Sequence, residues 1–187
     1  MPFLRSIRLK ENIERTDAYP FNLPFLHSDD FTLEFPGNVT FFVGENGSGK
    51  STLLEAIAIS CGFNPSGGSR NNTYEYKQKE SSLSNALILS WAQKMPYGFF
   101  LRAESFFNFA SHVAPVDETD AAILSSYGNK SLHEQSHGES FLALFKNRFN
   151  DGIFLFDEPE AALSPTRQLA FLSILHELEK AGKSQFI

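Results

Sequence analysis

Cysteine is nearly missing from this chain. Cys61 is the only one in 187 residues, which excludes an internal disulfide and leaves a small side chain suited to burial. Basic charge is also scarce: 16 Lys and Arg face 22 Asp and Glu, for a formal net charge of −6. A broad face of clustered cations for a nucleic acid backbone is therefore not expected on this segment. No apolar run approaches the ~18–20 residues of a membrane-spanning helix, and no leader pattern opens the sequence, so a cytoplasmic location is expected. Heptads and internal repeats are absent, which excludes long coiled coils and solenoid arrays. The five histidines stand at no metal-ligand spacing from a Cys or carboxylate. What is plentiful is phenylalanine, at 20 residues, mostly inside apolar runs that read as core. Length and a hydrophobic content of 42% predict a single domain with a sizeable core.

One stretch organises the rest. Gly44, Glu45, Asn46, Gly47, Ser48, Gly49, Lys50, Ser51 and Thr52 fit G-x-x-x-x-G-K-[ST] at every fixed position. The β-rich run Val39–Val43 precedes it and a helix-like run, Thr52–Ile59, follows. Strand, glycine loop and helix together form a phosphate cradle. Glycines let backbone N–H groups turn inward, and the helix start adds unpaired donors and partial positive charge. Lys50 is placed to reach the β- and γ-phosphates, and Ser51 to offer a hydroxyl to Mg²⁺. An accidental glycine turn would need neither the Lys-Ser pair nor the flanking elements.

Along the chain, Phe3–Leu9 and Phe31–Phe35 alternate as strands, giving an antiparallel element near the N-terminus. Leu53, Ile57 and Cys61 line one face of the helix after the glycine loop, with Gly62 placed to end it. The run 64–82 is polar and loop-like. Leu83–Trp91 fits either a helix or a strand, and with the turn Met95–Gly98 and the strand Phe99–Leu101 it leans towards a hairpin. Residues 105–149 are expected to form a small, mostly helical lobe, with Phe141, Leu142, Phe145 and Phe149 on one helix face. Ile153–Phe156 reads as a strand buried on both sides. Ser164 and Pro165 start a helix whose stripe is Phe171, Ile174, Leu175 and Leu178, and Gly182 ends it. Gln185–Ile187 looks like the opening of another strand, so the sequence is expected to continue beyond it.

The buried strand ends in Asp157-Glu158. A carboxylate there can hold the Mg²⁺ shell directly or through water, and a neighbouring one can orient and deprotonate a water aimed at a γ-phosphate. Asp157 takes the first role and Glu158 the second. Without the glycine loop, the same pair would be an ordinary acidic strand end.

With both halves in view, the chain resembles ATP-binding-cassette ATPases of the soluble branch allied to RecF and the structural-maintenance-of-chromosomes proteins. Gly44–Thr52 resembles the Walker A motif of that family, Phe154–Glu158 its Walker B, and Ser136-His137-Gly138-Glu139 its signature motif. The resemblance implies an α/β P-loop NTPase fold with a mostly parallel sheet, ATP and Mg²⁺ as ligands, and hydrolysis in an ATP-dependent head-to-tail homodimer. In that dimer Ser136, Gly138 and Glu139 of one copy would meet the ATP held by the other. It implies an adenine-stacking aromatic, for which Tyr19 and Phe21 are candidates, and a Mg²⁺-sensing side chain, for which Glu104 is the positional match. It also implies a switch histidine beyond Ile187, and a nucleic acid or protein partner by analogy alone. Departures are visible: His137 replaces a signature glycine, Glu139 the usual glutamine, and Ser164 the usual aspartate after Walker B. The rival readings are the ATP-binding subunit of a membrane transporter and a non-hydrolysing nucleotide switch acting through a partner.

Overall fold

The computed structural model describes residues 1–11, 13, 16–28, 30–70, 81–103, 142, 145 and 151–187. Most of the expected lobe at 105–149, including Ser136, Gly138 and Glu139, lies outside the described residues, as do Glu104 and positions 71–80 of the loop at 64–82. Leu142 and Phe145 are both helical, as their spacing predicts.

Two three-stranded sheets form the frame. The first has the order β2-β1-β3, with β1 (Leu4–Leu9) between β2 (Thr32–Glu34) and β3 (Leu87–Trp91), both antiparallel to it. In the second, β5 (Gly152–Asp157) lies between β4 (Gly98–Arg102) and β6 (Ser184–Phe186), all parallel. The mixed architecture is that of a P-loop NTPase. The predicted hairpin is corrected. Leu83–Trp91 divides into a short helix α2 (Ser82–Ala86) and β3, which pairs with β1, while β4 joins the other sheet. Burial explains the separation. Phe99, Phe100 and Leu101 are all buried, as a strand with two covered faces requires, whereas β3 beyond Leu87 stays half-buried.

The parallel sheet divides the core by its period of two. Phe100, Ile153 and Leu155 face α1 (Lys50–Ser60) and the antiparallel sheet. Phe99, Leu101 and Phe154 face Phe171, Ile174 and Leu175 of α3 (Pro165–Lys180) and the fully buried Phe145. The ring of Phe145 lies 4.6 Å from that of Phe171, edge-on, and 4.8 Å from that of Phe156. Ser164 stands at the N-cap of α3 and Pro165 in its first turn as predicted, but the Ser164 side chain makes no capping bond. One polar clip crosses between the sheets. Fully buried Gln185 accepts from the Leu4 amide at 2.8 Å and donates to the Leu4 carbonyl at 2.9 Å.

The helix α1 buries Leu53, Leu54, Ala56, Ile57 and Ala58, and its cap Cys61 is buried too. It stops where Gly62 takes φ +85°. The amide of Gly62 donates to Ile59 and that of Phe63 to Ala58, which satisfies two terminal carbonyls, and buried Phe63 anchors the exit. The strand expected at Val39–Val43 is reduced to one parallel bridge, Val39 with Phe186, flanked by a Thr40 amide bond to the Phe186 carbonyl at 2.9 Å. The pairing of β6 reaches no further along this run, so Phe41 and Val43 remain 66% and 92% exposed.

Candidate nucleotide-binding site

The glycine loop is held from both sides. Gly49 caps α1 at φ +91°, a conformation that costs glycine little. A Cβ there would lie 2.8 Å from Leu23 and 2.9 Å from Phe25, so the segment carrying the short 3₁₀ turn Pro24–Leu26 is seated directly on the loop. From the same segment, the Tyr19 hydroxyl meets the Thr52 hydroxyl at 2.5 Å. Inside the loop, Lys50 Nζ donates to the Gly44 carbonyl at 2.7 Å and the Glu45 carbonyl at 2.8 Å. That curls its ammonium over the loop rather than into solvent, poised at the start of a helix whose own amides favour an anion.

The second half arrives on β5. Asp157 closes that strand nearly buried, at 9% exposure. The next residue, Glu158, is exposed and left-handed (φ 51°, ψ 49°), the only non-glycine with positive φ among the described residues, and the 3₁₀ turn Pro159–Ala162 follows it. A non-glycine residue in this conformation carries a backbone cost, and such residues cluster at functional sites. Two cavities meet at this point. One, of about 300 Å³, is lined by Lys50, Ser51, Asp157, Glu158, Gln168 and neighbouring apolar residues. The other, of about 230 Å³, is lined by Tyr19, Asn46, Gly47, Lys50, Thr52 and again Glu158.

The structure therefore brings most of the sequence-derived candidates together. Lys50, Ser51, Asp157 and Glu158 share one cavity, and Tyr19 joins the glycine loop in the other. Of the two aromatic candidates, Phe21 goes elsewhere: it is half-buried and packs on the hydrophobic core. Ser51 and Asp157, whose side chains carry the oxygen donors that a hard divalent cation takes, line the same cavity beside Lys50.

Two charged residues at the site escaped the sequence reading. Arg102, the last residue of β4, places Nε 3.3 Å from Asp157 Oδ2 and Nη1 2.6 Å from Glu55 Oε2. The parallel register sets Arg102 opposite Asp157, and register is a tertiary property that no local pattern announces. Glu55 stands four positions after Ser51 on α1, one turn along the same face, which the helical period alone could have indicated.

Comparisons with known proteins place the chain among nucleotide-binding relatives. A sequence profile of the AAA domain family matches residues 23–105. The petrobactin import ATP-binding protein FpuD of Bacillus anthracis is 27% identical over 178 residues, covering 85% of this chain and 64% of that protein. The hemin import ATP-binding protein HmuV of Roseobacter denitrificans is 29% identical over 175 residues, covering 85% and 67%. Structural maintenance of chromosomes protein 6 of Saccharomyces cerevisiae is 37% identical over 65 residues, covering 35% of this chain and 6% of that protein. The chain thus spans about two thirds of the length of the import proteins it matches. No solved structure matches it. With its glycine loop, its acidic strand end and these likenesses, the chain has the P-loop NTPase fold and is similar to ATP-binding proteins of the ABC- and SMC-like kind.

Proposed function

We propose that the chain binds ATP with Mg²⁺ and hydrolyses it, with a second copy completing the site in a head-to-tail dimer. The convergence of Lys50, Ser51, Asp157 and Glu158 on one cavity carries this reading. Amides of Gly44–Thr52 and the Lys50 ammonium hold the β- and γ-phosphates, and Lys50 exchanges its bonds to Gly44 and Glu45 for phosphate oxygens. Ser51 and Asp157 hold the cation, which when bound neutralises phosphate charge. Glu158, on its left-handed turn, accepts a proton from the attacking water. Tyr19 gives adenine a ring to stack on, being exposed and anchored to Thr52. Glu104 senses the cation, and Ser136, Gly138 and Glu139 of the other copy contact the γ-phosphate; these four assignments rest on the family pattern. A cytoplasmic location belongs to the same reading.

The test is specific ATP turnover against protein concentration, beside the Glu158→Gln variant. A specific rate that climbs and saturates supports a site completed between copies. Glu158→Gln should retain ATP binding and lose at least about a hundredfold in turnover, within the range for removing a general base. An unchanged rate in that variant would take the general-base role from Glu158, and ATP binding without turnover in the wild type would reduce the chain to a nucleotide switch. The names of the import proteins favour a second reading, an ATP-binding subunit of an importer. That reading requires a membrane partner that co-purifies and stimulates turnover.

A further inference from the structure

We propose that Arg102 is a positioning residue that sets the cation affinity of the site by tying its two halves together. This inference rests on the ATP and Mg²⁺ reading above. One guanidinium reaches two carboxylates through different nitrogens: Nε to Asp157 on β5, and Nη1 to Glu55 on α1. The same Nη1 also donates to the Pro65 carbonyl at 3.3 Å. Its plane is rigid, so it fixes the spacing between the carboxylates as well as balancing charge. Glu55 rides on the helix that carries Lys50 and Ser51, and Asp157 adjoins Glu158. Arg102 thus braces the phosphate-holding element against the element that carries the carboxylates. Arg102 meets Asp157 at Oδ2, and Asp157 also lines the cavity that Ser51 lines. All three side chains are partly or largely shielded, with 25% exposure for Arg102, 32% for Glu55 and 11% for Asp157. Shielding of this order gives a bridge more weight than an exposed surface pair carries. Partners that hold a metal-site carboxylate in place are worth about 10–100-fold in metal affinity.

The experiment uses the full chain and a fluorescent ATP, the N-methylanthraniloyl derivative. Its Kd is measured in EDTA and again with Mg²⁺, and the ratio of the two reads the coupling between nucleotide and cation without any turnover. Arg102→Met and Arg102→Lys should each lower that ratio about tenfold while the affinity in EDTA stays unchanged. Lysine keeps the charge but loses the planar fork, so its failure to rescue separates positioning from charge balance. Glu55→Gln, which loosens the other arm, should lower the ratio about threefold, a smaller share of the same effect. Ratios within about twofold of the wild type overturn the inference. So does a raised ratio in Arg102→Met alongside a normal one in Arg102→Lys, which would make Arg102 a counter-ion only. If circular dichroism shows the arginine variants unfolded, Glu55→Gln decides, and an unchanged ratio there is a refutation. A wild-type chain with no Mg²⁺ dependence would bring down the ATP and Mg²⁺ reading together with this one; a clear Mg²⁺ dependence in the wild type that the variants keep unchanged brings down this one only.

Discussion

At the scale of single residues, Cys61 shows how burial sets chemistry. Burial pushes its thiol up to about 12, against smaller downward pulls from Arg70 and Lys94. It stays protonated, and so unreactive, in the folded chain. Alkylation by iodoacetamide near neutral pH should be at least about tenfold slower in buffer than in urea, since the thiolate is the nucleophile. The same shift has a stability consequence. Between the ordinary value of 9.0 and about 12, the unfolded chain has released this proton and the native chain has kept it, so native stability falls as pH rises through that window. Below it the contribution is constant. The slope is at most about 1.4 kcal/mol per pH unit, and Cys61→Ala should remove it from urea titrations in that alkaline range. Equal slopes for the variant and the wild type would refute the assignment. Residue chemistry was the most legible layer of this molecule. Lys50, Ser51, Asp157 and Glu158 stand out in the sequence because phosphate and metal chemistry would ask for those types in that pattern. Arg102 did not, because its importance comes from what lies across the sheet.

At the scale of elements, legibility follows the range of the forces involved. Helix α1 and helix α3 were readable from their apolar stripes and terminal glycines, both local signals. So was β5, whose continuous apolar run can only be covered on two faces. Leu83–Trp91 was misread because its pairing with β1 spans a long separation, and a nearby turn suggested the shorter route. The run Val39–Val43 has strand composition, yet composition cannot supply a neighbour, and β6 pairs with it only at Val39. The clip from Gln185 to Leu4 was invisible for the same reason: a buried amide has no local signature. Gln185→Ala leaves both polar groups of Leu4 buried without this partner. The expected cost is about 2–6 kcal/mol, from a penalty of roughly 1–3 kcal/mol for each orphaned group. Urea unfolding would read it, and a loss under about 0.5 kcal/mol would mean that water replaces the amide.

At the scale of the whole molecule, nucleotide and fold are linked. A ligand that binds only the native chain stabilises it by about 2.7 kcal/mol at a hundredfold excess over Kd. ATP with Mg²⁺ should therefore raise the melting temperature by several degrees, roughly 5–10 °C for a chain of this size. Lys50→Ala should abolish that rise while melting near the wild-type temperature without nucleotide. A rise that survives the substitution would place the nucleotide somewhere other than the glycine loop.

The join between the sheets also bears on time. Leu4 and Gln185 are 181 positions apart, so nearly everything between them must be gathered before their bonds can form. Closing so long a loop costs entropy early and returns energy late. The clip therefore belongs to the final descent into the native state, after the barrier has been crossed. In stopped-flow kinetics the missing energy of Gln185→Ala should appear almost wholly as faster unfolding, with the folding rate left alone. The bond that fastens the two sheets acts as a latch: it has little say in how quickly the protein is made and much in how long it lasts.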